Sequence, residues 1–134
     1  MATNNTGAGE NLAQRMVEQV ITGGATVHLF GGGNTANYSD TSTEISSKSD
    51  ATVQVAEADW TITTPADFSG TVTIENDNEL NFGSLDIGIV DQVVIQNDTN
   101  TNDFVLAQEP NDPDLTGESV SISAGTTIYE FGNA

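Results

Sequence analysis

Hydrophobic residues near the start of the chain recur with the period of an α-helix. Between residues 10 and 22 they fall at i, i+4, i+5, i+8 and i+9, which is one side of an amphipathic helix, and they are Leu12, Met16, Val17, Val20 and Ile21. Gly23 and Gly24 follow and favour a left-handed helix end. The pattern predicts a helix over residues 10–22, and a helix this short must be stabilised by packing against other elements.

Beyond this helix the apolar residues alternate with polar ones, which is the period of a half-buried β-strand. The alternating or short apolar runs are residues 25–30, 52–56, 60–64, 71–75, 80–82, 85–89, 93–95, 104–107, 120–122 and 128–131. Eight or nine short strands about ten residues apart predict an antiparallel β-sandwich or a jelly-roll-like barrel. Residues 34–50 interrupt the series with a polar stretch whose one strongly apolar residue is Ile45, and they predict a long surface loop or irregular structure.

The length predicts one domain. A chain of 134 residues buries about two-thirds of its unfolded surface, enough for a core without disulfides, and this chain has no Cys. Residues 1–9 are small and polar and predict an N-terminal arm, followed by a single domain over residues 10–134. No apolar run approaches the length of a membrane span and no leader is expected, so we predict a protein without a membrane partner.

The charge is the strongest compositional signal, at −18, with 20 acidic residues against 2 basic ones, Arg15 and Lys48. At physiological salt the Debye length is about 8 Å, and repulsion between carboxylates opposes folding. In molar salt the Debye length is about 3 Å, and this repulsion largely disappears. The composition therefore indicates a halophilic protein, the alternative being an ordinary acidic protein that binds divalent cations or a basic partner. Nucleic acid and anionic membranes require clustered Lys and Arg, so both are excluded as expected partners.

The candidate catalytic residues are few. His28 is the only His, and in its predicted strand it alternates with Val27 and Leu29, so we expect it to face away from the core and to be structural. No Ser lies in a nucleophile-elbow sequence, and the glycines of residues 31–33 lack the Lys of a phosphate-binding loop. The sequence predicts that the protein is not an enzyme.

Oxygen-bearing side chains cluster in the turn that follows the strand around residue 95. Asp98, Asn100 and Asn102 have the D-x-N-x-N spacing of a hard-cation loop and Asp103 follows, although the glycine and distal glutamate of an EF-hand are missing. The loop is either a site for calcium or another hard cation, or a solvated acidic surface. Two further groups carry the same two interpretations, namely Glu75, Asp77 and Glu79, and Asp112, Asp114 and Glu118.

The order of these segments resembles the small tail-fibre-like or head-fibre-like structural proteins of tailed viruses. The matching segments are the helix over residues 11–21, the strand over 25–30, Leu80-Asn81-Phe82-Gly83, the strand over 92–96, Val105-Leu106-Ala107, Thr116-Gly117-Glu118 and Ala124-Gly125. The resemblance covers most of residues 10–134. The chain departs from the family in its acidity, which a virus of haloarchaea would impose, and it lacks the family's aromatic run at residues 87–90.

The resemblance implies a non-enzymatic virion protein of a haloarchaeal tailed virus, forming a symmetric homo-oligomer in the tail or baseplate or a turret on the capsid surface. Its partners would be itself and other virion proteins. The residues expected to contact a neighbouring subunit are Met1, Asn4, Asn5, Leu12, Met16 and Val20. Ordering the polar arm costs about 1–2 kcal/mol per residue, which backbone hydrogen bonds to an edge strand of another subunit would offset.

A carbohydrate-binding module, secreted or on a surface, is the alternative function. In that case Tyr38, Trp60 and Tyr129 would stack on sugar rings and calcium would brace the loops. This alternative requires the three aromatic side chains to lie together on an exposed face, whereas a virion protein allows Trp60 to be part of the core.

Overall fold

The secondary structure follows the predicted series of short elements. The computed structural model describes residues 10–64, 71–85, 90–108 and 118–132. The elements are α1 (Glu10–Ile21), β1 (Ala25–Gly31), α2 (Ser42–Lys48), β2 (Ala51–Val55), a 3-10 helix (Glu57–Asp59), β3 (Trp60–Thr63), β4 (Thr71–Asn76), β5 (Leu80–Leu85), β6 (Val90–Asn97), β7 (Phe104–Gln108), β8 (Glu118–Ile122) and β9 (Thr127–Gly132). The predicted arm over residues 1–9 lies outside the described residues, and so do residues 86–89 of the predicted run over 85–89. None of the described helices is long and apolar enough to cross a membrane.

The fold is mainly β and antiparallel, as the alternation predicts. The strands form a four-stranded sheet in the order β2-β1-β6-β7, a three-stranded sheet in the order β3-β4-β9, and the pair β5-β8. The jelly-roll-like barrel is wrong for the described part of the chain, because a barrel needs one continuous ladder of strands and these belong to three separate ladders. β2 and β7 are therefore the two outer strands of their sheet.

The main core collects apolar side chains from α1 and from all three sheets. In β1, Val27 and Leu29 are 0% and 1% exposed, and both belong to this core. Its remaining buried members are Val17, Val20, Ile21, Ala25, Val55, Trp60, Val72, Ile74, Leu80, Phe82, Val90, Val93, Ile95, Val120 and Ile128. Every sheet thus contributes its apolar positions to one cluster.

A second, smaller core lies on the opposite face of the four-stranded sheet. Phe30 and Val94 alternate out of the main core and pack with Ala36 and Ile45 of the segment that follows β1. We refer to residues 34–50 as the cover segment. Because both faces of β1 and β6 are covered, nearly every residue of these two strands is buried.

The cover segment is more regular than predicted from its polar composition. It contains α2, in which the Thr41 side chain accepts from the backbone N–H of Glu44 and the Glu44 side chain accepts from the backbone N–H of Thr41. This capping box satisfies two N-terminal amides of the helix and offsets its short length. Ile45, the one strongly apolar residue of the segment, is fully buried beneath it. The interpretation as an irregular loop overlooked the T-x-x-E spacing just before Ile45.

Helix α1 ends one residue before the predicted boundary. Gly23 and Gly24 follow with φ of 84° and 98°, in the left-handed region that glycine adopts without a steric penalty. At Gly24 a Cβ atom would also lie 3.0 Å from a carboxylate oxygen of Asp98. The turn after α1 therefore depends on glycine both for its backbone angles and for its close approach to the loop after β6.

Candidate functional site

The predicted cation loop joins β6 to β7 and is fixed to the sheet through Asp98. One carboxylate oxygen of Asp98 accepts from the Thr26 hydroxyl at 2.6 Å, and the other accepts from the Gln54 side-chain amide at 3.1 Å. Thr26 and Gln54 are register partners on β1 and β2. Both oxygens of this proposed cation ligand thus already hold hydrogen bonds that connect the loop to two strands.

The other residues predicted to bind a cation in this loop do not share the contacts of Asp98. Asp103 accepts from the side-chain amide of Gln19 on α1 at 3.2 Å, whereas Asn100 and Asn102 are exposed. In the described ranges no group of three or more His, Cys, Asp and Glu side chains is placed to hold a metal ion. Binding of calcium by Asp98, Asn100, Asn102 and Asp103 stays a prediction, and a bound cation would share Asp98 with its two strand partners.

The two other acidic groups fall partly outside the described structure. Asp77 accepts a hydrogen bond from the Thr61 hydroxyl and Glu79 is exposed, both in the turn between β4 and β5, while Glu75 lies within β4. Asp112 and Asp114 are not among the described residues, and Glu118 is the first residue of β8. These groups also stay predictions.

Asn97, which the sequence interpretation passed over, organises the same loop from the end of β6. It is 1% exposed, and its side-chain nitrogen donates to the backbone carbonyls of Gln19, Val20 and Thr22 at 3.1, 3.0 and 2.7 Å. Its side-chain oxygen accepts from the backbone N–H groups of Thr99 and Asn100 at 3.0 and 2.7 Å. One buried amide therefore satisfies carbonyls at the end of α1 and shapes the loop. A single Asn at the end of a strand is typical of a turn, so the sequence has no signal for an Asn that connects the helix end to the loop.

His28 faces the smaller core, as its alternation with Val27 and Leu29 predicts. It is 3% exposed, its Nε2 lies 2.8 Å from the side-chain oxygen of Gln96, and its ring lies 6.4 Å from that of Phe30. The Gln96 nitrogen donates to the Thr101 carbonyl, which leaves the Gln96 oxygen to accept and assigns the proton of neutral His28 to Nε2. Burial lowers the pKa of His28, and the Gln96 bond and the charge of Asp98 oppose that shift.

The Nδ1 atom of His28 has no hydrogen-bond partner among the described residues. A charged imidazole would have to place a second N–H at this buried position, where nothing described accepts it. This buried position therefore favours the neutral form of His28.

Gln92 and an ion pair attach the cover segment to the sheet. The buried Gln92 side chain accepts from the backbone N–H of Ala36 at 2.7 Å and donates to the carbonyl of the same residue at 3.2 Å. Lys48 at the end of α2 donates to both carboxylate oxygens of Asp40, at 3.0 and 2.9 Å. The hydrogen bonds from Lys48, and then that from the Asn37 backbone, lower the pKa of Asp40. One of the two basic residues of the chain is therefore used within the cover segment.

A shallow depression of about 430 Å³ lies beside the C-terminal half of α1. Its exposed lining is mainly polar and comes from Glu18, Thr22 and Glu57, while Ile21 and Trp60, both nearly buried, and the half-buried Ile62 contribute the smaller apolar part. Glu57 accepts from the backbone N–H of Gly23 at 2.7 Å, and Glu18 accepts from the side chain of Gln14 at 2.8 Å.

Of the three aromatic residues that could form a sugar-stacking face, Trp60 and Tyr38 have described side chains, and these two do not lie together on an exposed face. Trp60 is 6% exposed in the main core, and its indole N–H has no partner in the described part of the molecule. Tyr38 is 83% exposed on the cover segment, across the four-stranded sheet from the main core. Tyr129 lies in β9, and its side chain is outside the described set.

The residues predicted to contact another subunit divide into three groups. Met1, Asn4 and Asn5 lie outside the described residues. Leu12 and Met16 are each 47% exposed on α1, so both side chains are accessible. Val20 is 5% exposed within the main core of its own chain, so most of its surface is already covered.

Comparison of the chain with protein-family models, with curated proteins and with solved structures finds no match.

Proposed function

We propose that this chain is a non-enzymatic structural protein of the virion of a haloarchaeal tailed virus. It forms a symmetric homo-oligomer in the tail or baseplate, or a turret on the capsid surface, and contacts other virion proteins. The finer architecture that we propose is a β-sandwich, in which the four-stranded sheet faces the two smaller sheets across the main core. The pooling of apolar side chains from all three sheets in one cluster supports this arrangement.

The observation that carries the proposal is the use made of the buried polar side chains. Gln92, Gln96, Asn97 and Asn76 each donate to backbone carbonyls of a segment other than their own strand. Such bonds are worth about 1 kcal/mol each, and more is lost when a buried partner is left unsatisfied. In the described residues, these buried amide side chains thus connect loops to strands by hydrogen bonds. Such connections restrict loop motion, as a rigid structural protein requires.

The charge supports the halophilic part of the proposal. Of the 2 basic residues, Lys48 is paired with Asp40, so the 20 acidic residues have almost no cations within the chain to neutralise them. High external salt supplies that screening instead. The assignment to a virion rests on the resemblance of the segment order to tail-fibre-like and head-fibre-like proteins.

The carbohydrate-binding alternative is weakened by the position of Trp60. A Trp that is 6% exposed offers little ring surface for a sugar, and Tyr38 lies on the opposite side of the four-stranded sheet. Glycan arrays in molar salt test this alternative directly, with Tyr38→Ala as the variant that would abolish binding if a sugar stacked there.

The experiment that tests the proposal is mass spectrometry of virus particles purified on a density gradient from the organism that produces the chain. The proposal expects the chain to sediment with the particles in a fixed ratio to the major capsid protein. Recovery of the chain only in particle-free fractions would overturn it.

A further inference from the structure

His28 is a buried titratable side chain on the face of the four-stranded sheet that the cover segment occupies. It is 3% exposed, and its register partner on β6 is Val94, a buried member of the smaller core. Phe30, two residues further along β1, is another member of that core, and its ring lies 6.4 Å from the ring of His28. The imidazole therefore lies beside two of the side chains on which the cover segment packs.

The surroundings of His28 suit a neutral imidazole and not a charged one. Nε2 has its partner in the side-chain oxygen of Gln96, whereas Nδ1 is buried without a partner among the described residues. A second proton on Nδ1 would add a positive charge and an N–H group that needs an acceptor. The described residues offer no such acceptor while the cover segment is closed.

The strands around His28 supply little charge that could stabilise an imidazolium. β2 and β7 contain no charged residue, and the one charged residue of β6, Asp91, accepts from the backbone N–H of Gly33 at the end of the strand far from Gln96. In the loop after β6, the charge of Asp98 favours the protonated ring, but burial has the larger effect on the pKa of His28. Asp103 of the same loop accepts from Gln19 on α1.

The charged groups of the cover segment already have partners of their own. Lys48 donates to Asp40, and Glu44 caps α2. Asp50 accepts from the backbone N–H of Gly31 at 2.8 Å. No carboxylate of this segment is therefore free of other bonds and placed to hold a charged His28.

The cover segment can open without disrupting the main core. It packs on the sheet through the smaller core, which has four buried residues, and through side chain–backbone bonds of Gln92 and Asp50. The ion pair of Lys48 with Asp40 joins two residues within the segment and does not fix it to the strands. The main core lies on the other face of the sheet and receives no buried residue from the segment. Opening is therefore a local event that costs less free energy than unfolding of the whole chain.

We propose that the cover segment is a pH-sensitive element, which opens when His28 is protonated while the strands beneath it stay folded. Opening gives the Nδ1–H of the charged ring an acceptor in water and uncovers Phe30 and Val94. By linkage, closure of the segment releases the proton from His28. The inference goes beyond the proposed function and does not depend on it.

The direction and range of the pH effect follow from the two states of the segment. Burial lowers the pKa of His28 in the closed state, and in the open, hydrated state we expect the ordinary value of 6.5. The equilibrium constant for opening is therefore unchanged by pH above about pH 7.5 and rises below 6.5, by at most about tenfold per pH unit. The hydrogen bonds from Lys48, and then that from the Asn37 backbone, lower the pKa of Asp40, so this carboxylate stays ionised in the same range.

The test is hydrogen exchange of the full chain measured by NMR between pH 7.5 and 5.5 at constant 2 M KCl, with rates converted to protection factors. The amides of Ile45 and Ser49, which donate to the carbonyls of Thr41 and Ile45, report on α2. We expect their protection factors to fall by about three- to tenfold at pH 5.5, and those of β4 and β9 to stay unchanged. His28 is the only His, so its ring signals identify themselves, and their titration should follow the same pH curve.

His28→Gln is the decisive variant, because its amide can still donate to Gln96 and takes up no proton, so its protection factors should be constant over this range. Thr52→Gln is the matched control, since Thr52 is the exposed register partner of His28 on β2, and it should keep the pH dependence of the wild type. Constant protection in the wild type, an equal fall in His28→Gln, or a fall that extends to β4 and β9 would each overturn the proposal. If His28→Gln does not fold, the wild type decides alone, and a ring that takes up its proton without any loss of protection in α2 would overturn it.

Discussion

The side-chain nitrogen of Asn97 lies 2.7 Å from the backbone carbonyl oxygen of Thr22, and this contact joins the end of β6 to the end of the first helix. The two residues are 75 positions apart in the sequence. Because the same side chain also accepts two backbone N–H groups of its own loop, the helix end and the loop are ordered by one residue.

Replacing Asn97 should destabilise the protein more than its size suggests. Asn97→Ala leaves helix carbonyls and loop amides without partners, and we expect a loss of about 2–4 kcal/mol in the free energy of unfolding. Asn97→Asp should be worse, because it adds a negative charge beside carbonyl oxygens at the negative end of the helix dipole. Urea denaturation at constant 2 M salt measures both. Asn102→Asp, an exposed site with the same change of charge, should stay within about 0.5 kcal/mol of wild type.

The strands could be predicted from the sequence alone, whereas α2 with its buried Ile45 and the hydrogen bonds of Asn97 were not predicted. Short apolar runs, most of them alternating with period two, located each of the nine strands that the structure describes. Helix α2 was not predicted although its T-x-x-E capping signal was present. Its one buried residue is Ile45, and a single apolar residue among polar ones gives no helical periodicity. The grouping of strands into three sheets depends on long-range pairing, for which the local pattern has no signal.

Acidification should weaken the folded state through His28. Burial lowers the pKa of His28 in the folded protein relative to 6.5 in the unfolded chain, so the unfolded chain binds the proton more readily below that pH. Protonation of His28 therefore does not reduce the free energy of unfolding above about pH 7. Below that, the free energy of unfolding falls as the pH drops through 6.5 towards the pKa of His28 in the folded protein, by at most about 1.4 kcal/mol per pH unit.

The matched variant for this prediction is His28→Gln, whose amide can still donate to Gln96 and does not titrate. The difference in unfolding free energy between wild type and His28→Gln should be constant above pH 7 and change below it. A difference that stays constant down to pH 5 would show that His28 is not held neutral by its surroundings.

Ile45→Ala should loosen the cover segment before it affects the rest of the molecule. Ile45 is fully buried in the smaller core, and deleting such a side chain costs about 2–4 kcal/mol. Hydrogen exchange should become faster at amides of residues 34–50 and stay unchanged in β4 and β9, which contribute to the main core. Thr43→Ala, exposed on the same helix, serves as the control. Equal acceleration in both regions would mean that the two cores unfold as one unit.

Salt should stabilise the fold strongly. With a charge of −18, repulsion between carboxylates declines as the Debye length shrinks, so the melting temperature should rise continuously between about 0.1 M and 2 M KCl. Sucrose at matched viscosity separates charge screening from general exclusion effects. Equal melting temperatures across the salt series would contradict the halophilic interpretation.

The candidate sites were less accessible to sequence reasoning than the strands. The spacing of Asp98, Asn100 and Asn102 predicted a cation loop, but spacing alone does not reveal that the Thr26 and Gln54 side chains donate hydrogen bonds to the carboxylate of Asp98. The apolar side of the predicted helix likewise grouped Val20 with Leu12 and Met16 as residues that contact another subunit. In the structure Val20 is buried and the other two are exposed. This difference depends on how the sheets pack against the helix, for which the local sequence has no signal.

The central claim, that the chain is a repeated structural part of a haloarchaeal virion, is tested most directly by cryo-electron microscopy of native particles purified in molar salt. The account predicts density for a β-rich module of 14.0 kDa, repeated symmetrically in the tail, the baseplate or a capsid turret. Particles whose density is fully explained by other proteins, with this chain absent from their mass spectra, would contradict it.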